Sequence, residues 1–276
     1  MPLVTVGDTN PLTWESFIEK AEELATESNQ KSIVNPDQYI IGWMYRGQKN
    51  STWGLSTSLE RYVSSWGLDD LLDVDTYFSK IRSIVPALNS LNEKNYTRDI
   101  SPPESRNTGW SLDTLELLYY LRHHGFPTPL LDWSRSYLVA AFFAFQDATE
   151  DCDVAIYAYN ETMVPVRGGW IREPQINMLG PYVETHRRHY LQQSDYTVCM
   201  SETRDKDGRV LRFRKHDEAI RDNPSDNMIH KYIILGSEKK KVLQKLDEAN
   251  INAYTLFGSE ESLVSMLAYR ELARGL

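Results

Sequence analysis

The stretch HHGFPTPLLDWSRSYLVAAFFAFQDA, residues 123–148, constrains the fold more than any other part of the chain. A helix ends at Gly125, a short apolar segment ends in Asp132-Trp133-Ser134, and a helix apolar on nearly every face follows. A helix that apolar has to be buried, so its start at Ser134 to Ser136 is held in place. Unpaired N–H groups and the positive end of the helix dipole make such a start a natural place for a phosphate or carboxylate. His123, His124, Asp132 and Ser134 crowd this junction, which is expected to face the other polar-in-apolar stretch, WMYRGQ at 43–48. Arg46 ends the strand there, and burying its charge is costly unless an anion pairs with it. Arg46 is therefore either a structural arginine held by a core acid or a clamp whose planar fork grips a phosphate or carboxylate.

A chain of 276 residues can bury a substantial core as one large domain or two small ones. No internal repeat or composition break divides it, so a single α+β domain over residues 1–276 is expected, with helices flanking a central sheet. The net charge of −9 argues against nonspecific coating of nucleic acid. It hides two basic runs, one with Arg167, Arg172, Arg187 and Arg188 and a second with Arg209, Arg212, Arg214 and Lys215. These form either a solvated face or a groove for nucleic acid. Cys152 and Cys199 stand without a CxxC or a histidine at metal spacing, a cytosolic pattern with no disulfide framework and no zinc site. MPLVTVGDTN has no basic n-region, and no run of about eighteen apolar residues occurs, so a cytoplasmic protein without a membrane partner is expected. P-loop, dinucleotide-fingerprint and zinc-enzyme motifs are absent, which argues against nucleotide hydrolysis, hydride transfer and metal catalysis of the familiar kinds.

In chain order, residues 11–28 predict an amphipathic helix capped by Thr13, and YIIGWMYRGQ a buried strand. One of Ser56, Thr57 and Ser58 caps the next helix, and 68–91 is helical with Pro86 interrupting. Asp113 with Glu116 resembles a capping box for DTLELLYYLRHH, closed by Gly125. DCDVAIYAYN is a strand, 164–190 a long loop, and Gln192-Gln193 lead into a short strand. The C-terminal part, 229–275, alternates strand, helix, strand (INAYTLF) and helix, with Ser237 and Ser259 as caps.

These residues resemble the FRG domain family, named for a Phe/Tyr-Arg-Gly signature that here reads Tyr45-Arg46-Gly47-Gln48. A second family motif is similar to His123-His124-Gly125-Phe126-Pro127-Thr128-Pro129-Leu130-Leu131-Asp132-Trp133-Ser134 followed by LVAAFFAF. A third resembles Arg187 or Arg188 with Gln192-Gln193 and Tyr196-Thr197, and the family's ending is similar to Leu256-Phe257, so the similarity spans about residues 14–270. The family's arginine after Pro-Thr is Pro129 here, and its tyrosine after the first histidine is His124.

By a further, fold-level analogy the family is similar to ADP-ribosyltransferases. That resemblance implies a central sheet like theirs, NAD as co-substrate and no metal. It also implies Arg46, His123, Asp132 and Gln193 as catalytic residues and Tyr45, Gln48, Trp133, Ser134 and Gln192 around the NAD. Where a glutamate is expected, the chain shows Gln192-Gln193-Ser194-Asp195, with Glu184 and Glu202 near in sequence. Displacing nicotinamide through an oxocarbenium-like centre needs an arginine on the phosphate side, aromatics such as Trp43, Trp133 or Tyr45 around nicotinamide, and a carboxylate or amide on the ribose. His123 serves either as acid/base or as a cap on the last carbonyls of its helix. The expected activity is ADP-ribosyl transfer by an intracellular toxin or phage-defence effector. RNA is the favoured acceptor, with Arg187, Arg188, Arg212 and Arg214 facing it and an antitoxin or chaperone as partner. The alternatives are a noncatalytic module binding a phosphorylated ligand and a hydrolase using Asp132, His123 and Ser134.

Overall fold

The structure, a computed structural model, describes residues 4–6, 10–34, 42–91, 95–97, 99–102, 109–161, 175–180, 185–205, 208–222 and 227–273. Its elements are β1 (Val4–Val6), α1 (Trp14–Val34), β2 (Met44–Gln48), α2 (Ser58–Trp66), α3 (Val74–Leu91), α4 (Leu112–His123), β3 (Leu130–Ser134) and α5 (Tyr137–Phe145). The chain continues through β4 (Val154–Glu161), β5 (Gln175–Met178), α6 (Arg187–Leu191), β6 (Ser194–Asp205), β7 (Gly208–Phe213) and α7 (His216–Asp222). It ends with β8 (Asn227–Ile234), α8 (Lys239–Glu248), α9 (Ala253–Phe257) and α10 (Glu260–Ala268). Among the described residues, eight strands form one sheet in the order β1-β8-β4-β2-β3-β6-β5, with β7 pairing β6. All pairings between these strands are antiparallel except β1 with β8, and helices flank the sheet.

Alternation along the strands sorts the core. Tyr45, Val154, Ile156, Ala158, Tyr232 and Ile234 pack with α1, α5 and α8, whereas Met44, Ala155, Tyr157 and Tyr159 pack with Trp133 and with Ala219 and Ile220 of α7. α2, α3 and α4 close over Leu130, Tyr196, Val198 and Met200. Gly47 explains how α5 lies so close to β2. A Cβ there would meet Ala140 O at 1.9 Å and Ala144 N at 2.6 Å, so only glycine admits the helix backbone.

The feature that positions the site is a split in the middle of the sheet. Between β2 and β3 the one pairing among the described residues is Tyr45 with Ser134. Beyond it Arg46, Gly47 and Gln48 stay on β4, while Asp132 and Trp133 stay on β6. Arg46 Nη1 reaches across and donates to Asp132 O at 2.8 Å, so a side chain supplies the next rung.

Local capping follows the residues with some exchanges. Thr13 accepts from Ser16 N, and Thr57 and Glu60 form a reciprocal capping box on α2. Ser111, rather than Asp113, caps α4 by accepting from Thr114 N. Pro86 lies inside α3 without ending it, since burial of Ile81 and Val85 outweighs the local penalty. β6 is 12 residues long, because it is paired along its length with β3, β5 and then β7. INAYTLF is not a strand: Asn252 and Thr255 form a capping box and Ala253–Phe257 is helical. A short apolar run of this kind carries no period that separates helix from strand. Ser237 is no cap either, since it sits within a 3-10 turn at Gly236–Glu238. Residues 164–174 and 181–184 of the expected long loop lie outside the described residues. Among the described residues no helix is long and apolar enough to cross a membrane.

Candidate functional site

A cleft of about 920 Å³ is lined by residues from both sides of the split. Tyr45, Arg46, Gly47 and Gln48 come from β2, and Asp132, Trp133 and Ser134 from β3. Lys49, Thr52, Trp53, Gly54 and Ser56 of the following loop form one rim, with Arg61 of α2 beside them. Arg122, His123 and Gly125 line it from the end of α4, Ala140 and Phe143 from the flank of α5, and Arg188, Gln192 and Phe257 from α6, the turn after it and α9. The volume lies at the upper end of the roughly 300–1,000 Å³ of small-molecule sites.

Charge is the property that distinguishes this lining. Among the described residues, Arg46, Arg61, Arg122, Arg188 and Lys49 converge on the cleft against a single carboxylate, Asp132. Asp132 is bound two-pronged by Arg122, whose Nε lies 2.7 Å from Oδ1. Burial favours the neutral acid, but the charge and hydrogen bonds of Arg122 outweigh it and hold the Asp132 carboxyl below the usual range. Burial pulls the Arg46 guanidinium down to about 10, against the opposing charge of Asp132, and Arg46 still carries its charge at neutral pH. Arg46 Nε is buried and has no hydrogen-bond partner, and the same holds for Gln48 Oε1. A cleft this cationic in a chain of net charge −9 concentrates anions locally.

The junction residues separate on inspection. His124 is the residue that caps α4, with Nδ1 2.8 Å from Tyr120 O. His123 turns instead to Tyr196, whose hydroxyl lies 2.8 Å from Nε2 and also 3.2 Å from Nδ1 of His189. Burial pushes the His123 pKa down to about 4, despite the nearby Asp132, so its imidazole is neutral at pH 7. Ser134 donates to Gln192 O at 2.8 Å and accepts from Ser136 N, and so makes no bond to His123. Ser136 caps α5 by accepting from Val139 N, and it is the flank of that helix, not its first turn, that lines the cleft.

Of the residues expected around a ligand, Arg46, Gln48, His123, Asp132, Ser134 and Gln192 do line this one cleft. Tyr45 and Trp133 border it but are each 3% exposed, and their rings belong to the core. Trp133 stacks on Tyr159 and donates Nε1–H to Thr197 Oγ1, and Tyr45 packs edge-on against Tyr137. Trp43, against His230, does not line the cleft. Gln193 is exposed in a left-handed turn with φ 49°, and its backbone oxygen accepts from Arg135 N. Asp195 is buried and paired with Arg135 at 2.6 Å. Arg187 is exposed beside Gly258, while Arg188 lies over Phe257 within the cleft. Arg212 and Arg214 line a separate depression with Glu60, Lys215 and Glu218, and Arg214 pairs with Glu218. Arg167, Arg172 and Glu184 lie outside the described residues. Among the described residues no group of three His, Cys, Asp or Glu side chains is placed to hold a metal ion.

Sequence inspection missed Lys49, Trp53, Arg61 and Arg122 as cleft residues. The available signal was weak: a tryptophan in a polar loop directly after the strand that carries Arg46, and an arginine one residue before His123.

His216, behind the sheet, is fully buried, with Nε2 2.9 Å from Thr197 Oγ1 and Nδ1 unpartnered. Burial, with Arg46 adding to it, lowers its pKa to about 3. An unfolded histidine titrates near 6.5, so as pH falls the unfolded chain takes up protons before folded His216 or His123 does. Stability present above pH 6.5 is therefore lost progressively below it, at up to about 1.4 kcal/mol per pH unit for each neutral imidazole. Urea unfolding from pH 7 to 5 should show a falling midpoint, with a flatter slope in His216→Gln. A wild-type midpoint constant over that range would contradict the assignment.

The family model of the FRG domain matches residues 42–153. The match takes in Tyr45–Gln48 and His123–Ser134 and stops before Gln192-Gln193 and Leu256-Phe257. No curated protein and no solved structure matches the chain.

Proposed function

Residues 42–153 of this chain are an FRG domain, and from that starting point we propose that its cleft binds the phosphates of NAD and that the chain is an ADP-ribosyltransferase. The observation that carries the proposal is the convergence of four arginines and a lysine on one cleft of dinucleotide size, with Arg46 Nε left unpartnered. A fork with a spare donor suits phosphate oxygens, which accept several charge-assisted bonds at once. Arg46, Arg61 and Arg122 would hold the diphosphate, and Gln192 and Asp132 offer polar atoms to a ribose.

In the transfer, the bond between the ribose anomeric carbon and nicotinamide breaks, the acceptor's nucleophile takes that carbon, and the acceptor's proton leaves. The developing positive charge needs an anion, and Asp132, ionised at neutral pH by Arg122, is the carboxylate at the cleft. His123, held neutral, can accept a proton weakly or orient a hydroxyl, but it cannot act as an imidazolium acid at pH 7. The proposal extends to an intracellular toxin or phage-defence effector restrained by an antitoxin or chaperone. RNA is the favoured acceptor, met at the cleft by Arg188; Arg212 and Arg214 do not line that cleft.

A second reading, a module that binds a phosphorylated ligand without turnover, is favoured by one observation: both oxygens of Asp132 are already engaged by Arg122. The experiment that separates the two follows label from adenylate-labelled NAD into RNA, DNA and protein, with wild type beside Arg46→Ala. Transfer into one fraction, reduced by about 100-fold or more in the variant, is expected. Binding of NAD by a folded wild type with no label transferred would establish the second reading. Absence of NAD binding would remove the first reading, and absence of pyrophosphate binding as well would remove the second.

A further inference from the structure

We propose that Trp53 is the stacking platform for a flat aromatic ring, so that the ligand of this cleft is a nucleotide and not a ring-free phosphate. The proposal rests on the reading of the cleft as a phosphate site. Trp53 is 48% exposed and lines the cleft, in contrast to Tyr45 and Trp133, which are sealed in the core. An exposed tryptophan on a mobile loop would mean little, but this one is fixed. Tyr157 Oη donates to Trp53 O at 2.8 Å, Gln48 Nε2 donates to Gly54 O at 3.0 Å, and Leu55 N donates to the Asp217 carboxylate at 3.1 Å.

Two further ties close the loop around these bonds. Gly54 packs so tightly on Asp217 that a Cβ would lie 2.3 Å from Oδ2, and Arg61 Nη1 donates to Ser56 O at 2.6 Å. The backbone from Trp53 to Ser56 is thus anchored to β4, β2, α7 and α2 before any ligand arrives. A pre-positioned indole costs little ordering entropy when it stacks, which is how a rigid aromatic contributes affinity. Lys49 Nζ lies 6.0 Å from the centre of the Trp53 ring, adding a charge at the place where a base and its phosphates meet. Arg61 joins the two functions, since it lines the phosphate side and holds the loop of the ring side.

AMP and ribose 5-phosphate differ by the base alone, and titration of the full chain with each, and with pyrophosphate, tests the proposal. Wild type should bind AMP tighter than ribose 5-phosphate by roughly 5- to 150-fold, the range for one base stacked on one aromatic. Trp53→Ala should erase that advantage and leave ribose 5-phosphate and pyrophosphate within about two-fold of wild type. Trp53→Phe, which keeps a π-face, should keep most of it. Equal affinity of wild type for AMP and ribose 5-phosphate overturns the stacking role, and so does an equal loss for all three ligands in Trp53→Ala. If AMP binds preferentially but pyrophosphate does not bind at all, the phosphate reading fails while the stack survives. If nothing binds, both fail.

Discussion

Gly47→Ala is expected to cost about 3 kcal/mol or more of stability, and to leave little soluble protein, although it adds one methyl group. The added Cβ meets backbone atoms of α5, Ala140 O and Ala144 N, and not the flexible end of a side chain. Relief requires moving the whole helix, whose Ala140, Ala141, Ala144 and Phe145 are buried against β2 and β4. Overpacking of a yielding site costs about 1–3 kcal/mol, and this site cannot yield by rotamer change. Denaturant unfolding of purified protein measures the loss. A control sharpens the result: Ala140→Gly should not rescue the variant, because the clash is with the carbonyl oxygen. A Gly47→Ala protein within about 1 kcal/mol of wild type would mean that β2 and α5 do not pack as described.

Asp132→Asn is expected to separate catalysis from binding more sharply than any other single change. The amide keeps the size of the carboxylate but removes the one negative charge that lines the cleft among the described residues. Under ADP-ribosyl transfer the rate should fall by about 100- to 1,000-fold, the usual consequence of losing a charge aimed at a transition state. Affinity for pyrophosphate should hold or rise, since Arg46 and Arg122 are no longer offset by an anion. Stability should fall by about 1–2 kcal/mol, between the values for surface and buried pairs, because the Asp132 side chain is 37% exposed and that of Arg122 is 16% exposed. Single-turnover transfer and pyrophosphate titration on one preparation give both quantities. Weakened pyrophosphate binding would show that Asp132 holds the arginines in place more than it opposes their charge.

The two stretches that build the cleft were legible because their residues conflict with their surroundings. An arginine at the end of an apolar strand and an aspartate before a wholly apolar helix both demand an explanation, and both line the site. What remained hidden depends on which face a side chain takes and what it meets. Trp133 and Tyr45 look like ligand aromatics in the sequence, yet strand alternation turns their rings into two different core clusters. Trp53 looks like loop, and its anchoring by Tyr157, 104 positions away, has no local trace. Gln193, singled out beside Gln192, faces solvent because the turn at φ 49° sends the two in different directions. The pairing of β1 with β8 was missed for a related reason, since three residues of VTV carry too short a pattern to read. The sequence of α9 reads as a strand because its capping residues, Asn252 and Thr255, lie in a run rich in strand-favouring side chains.

Where β2 and β3 part, one backbone pair and one guanidinium carry the sheet from one half to the other. Under the proposed function, Arg46 is a structural rung and a ligand donor through the same guanidinium. Variation at this position cannot explore ligand preference without also testing whether the two halves of the sheet stay joined. Trp53, tied to the fold through its backbone, is free to vary its side chain in search of new ligands.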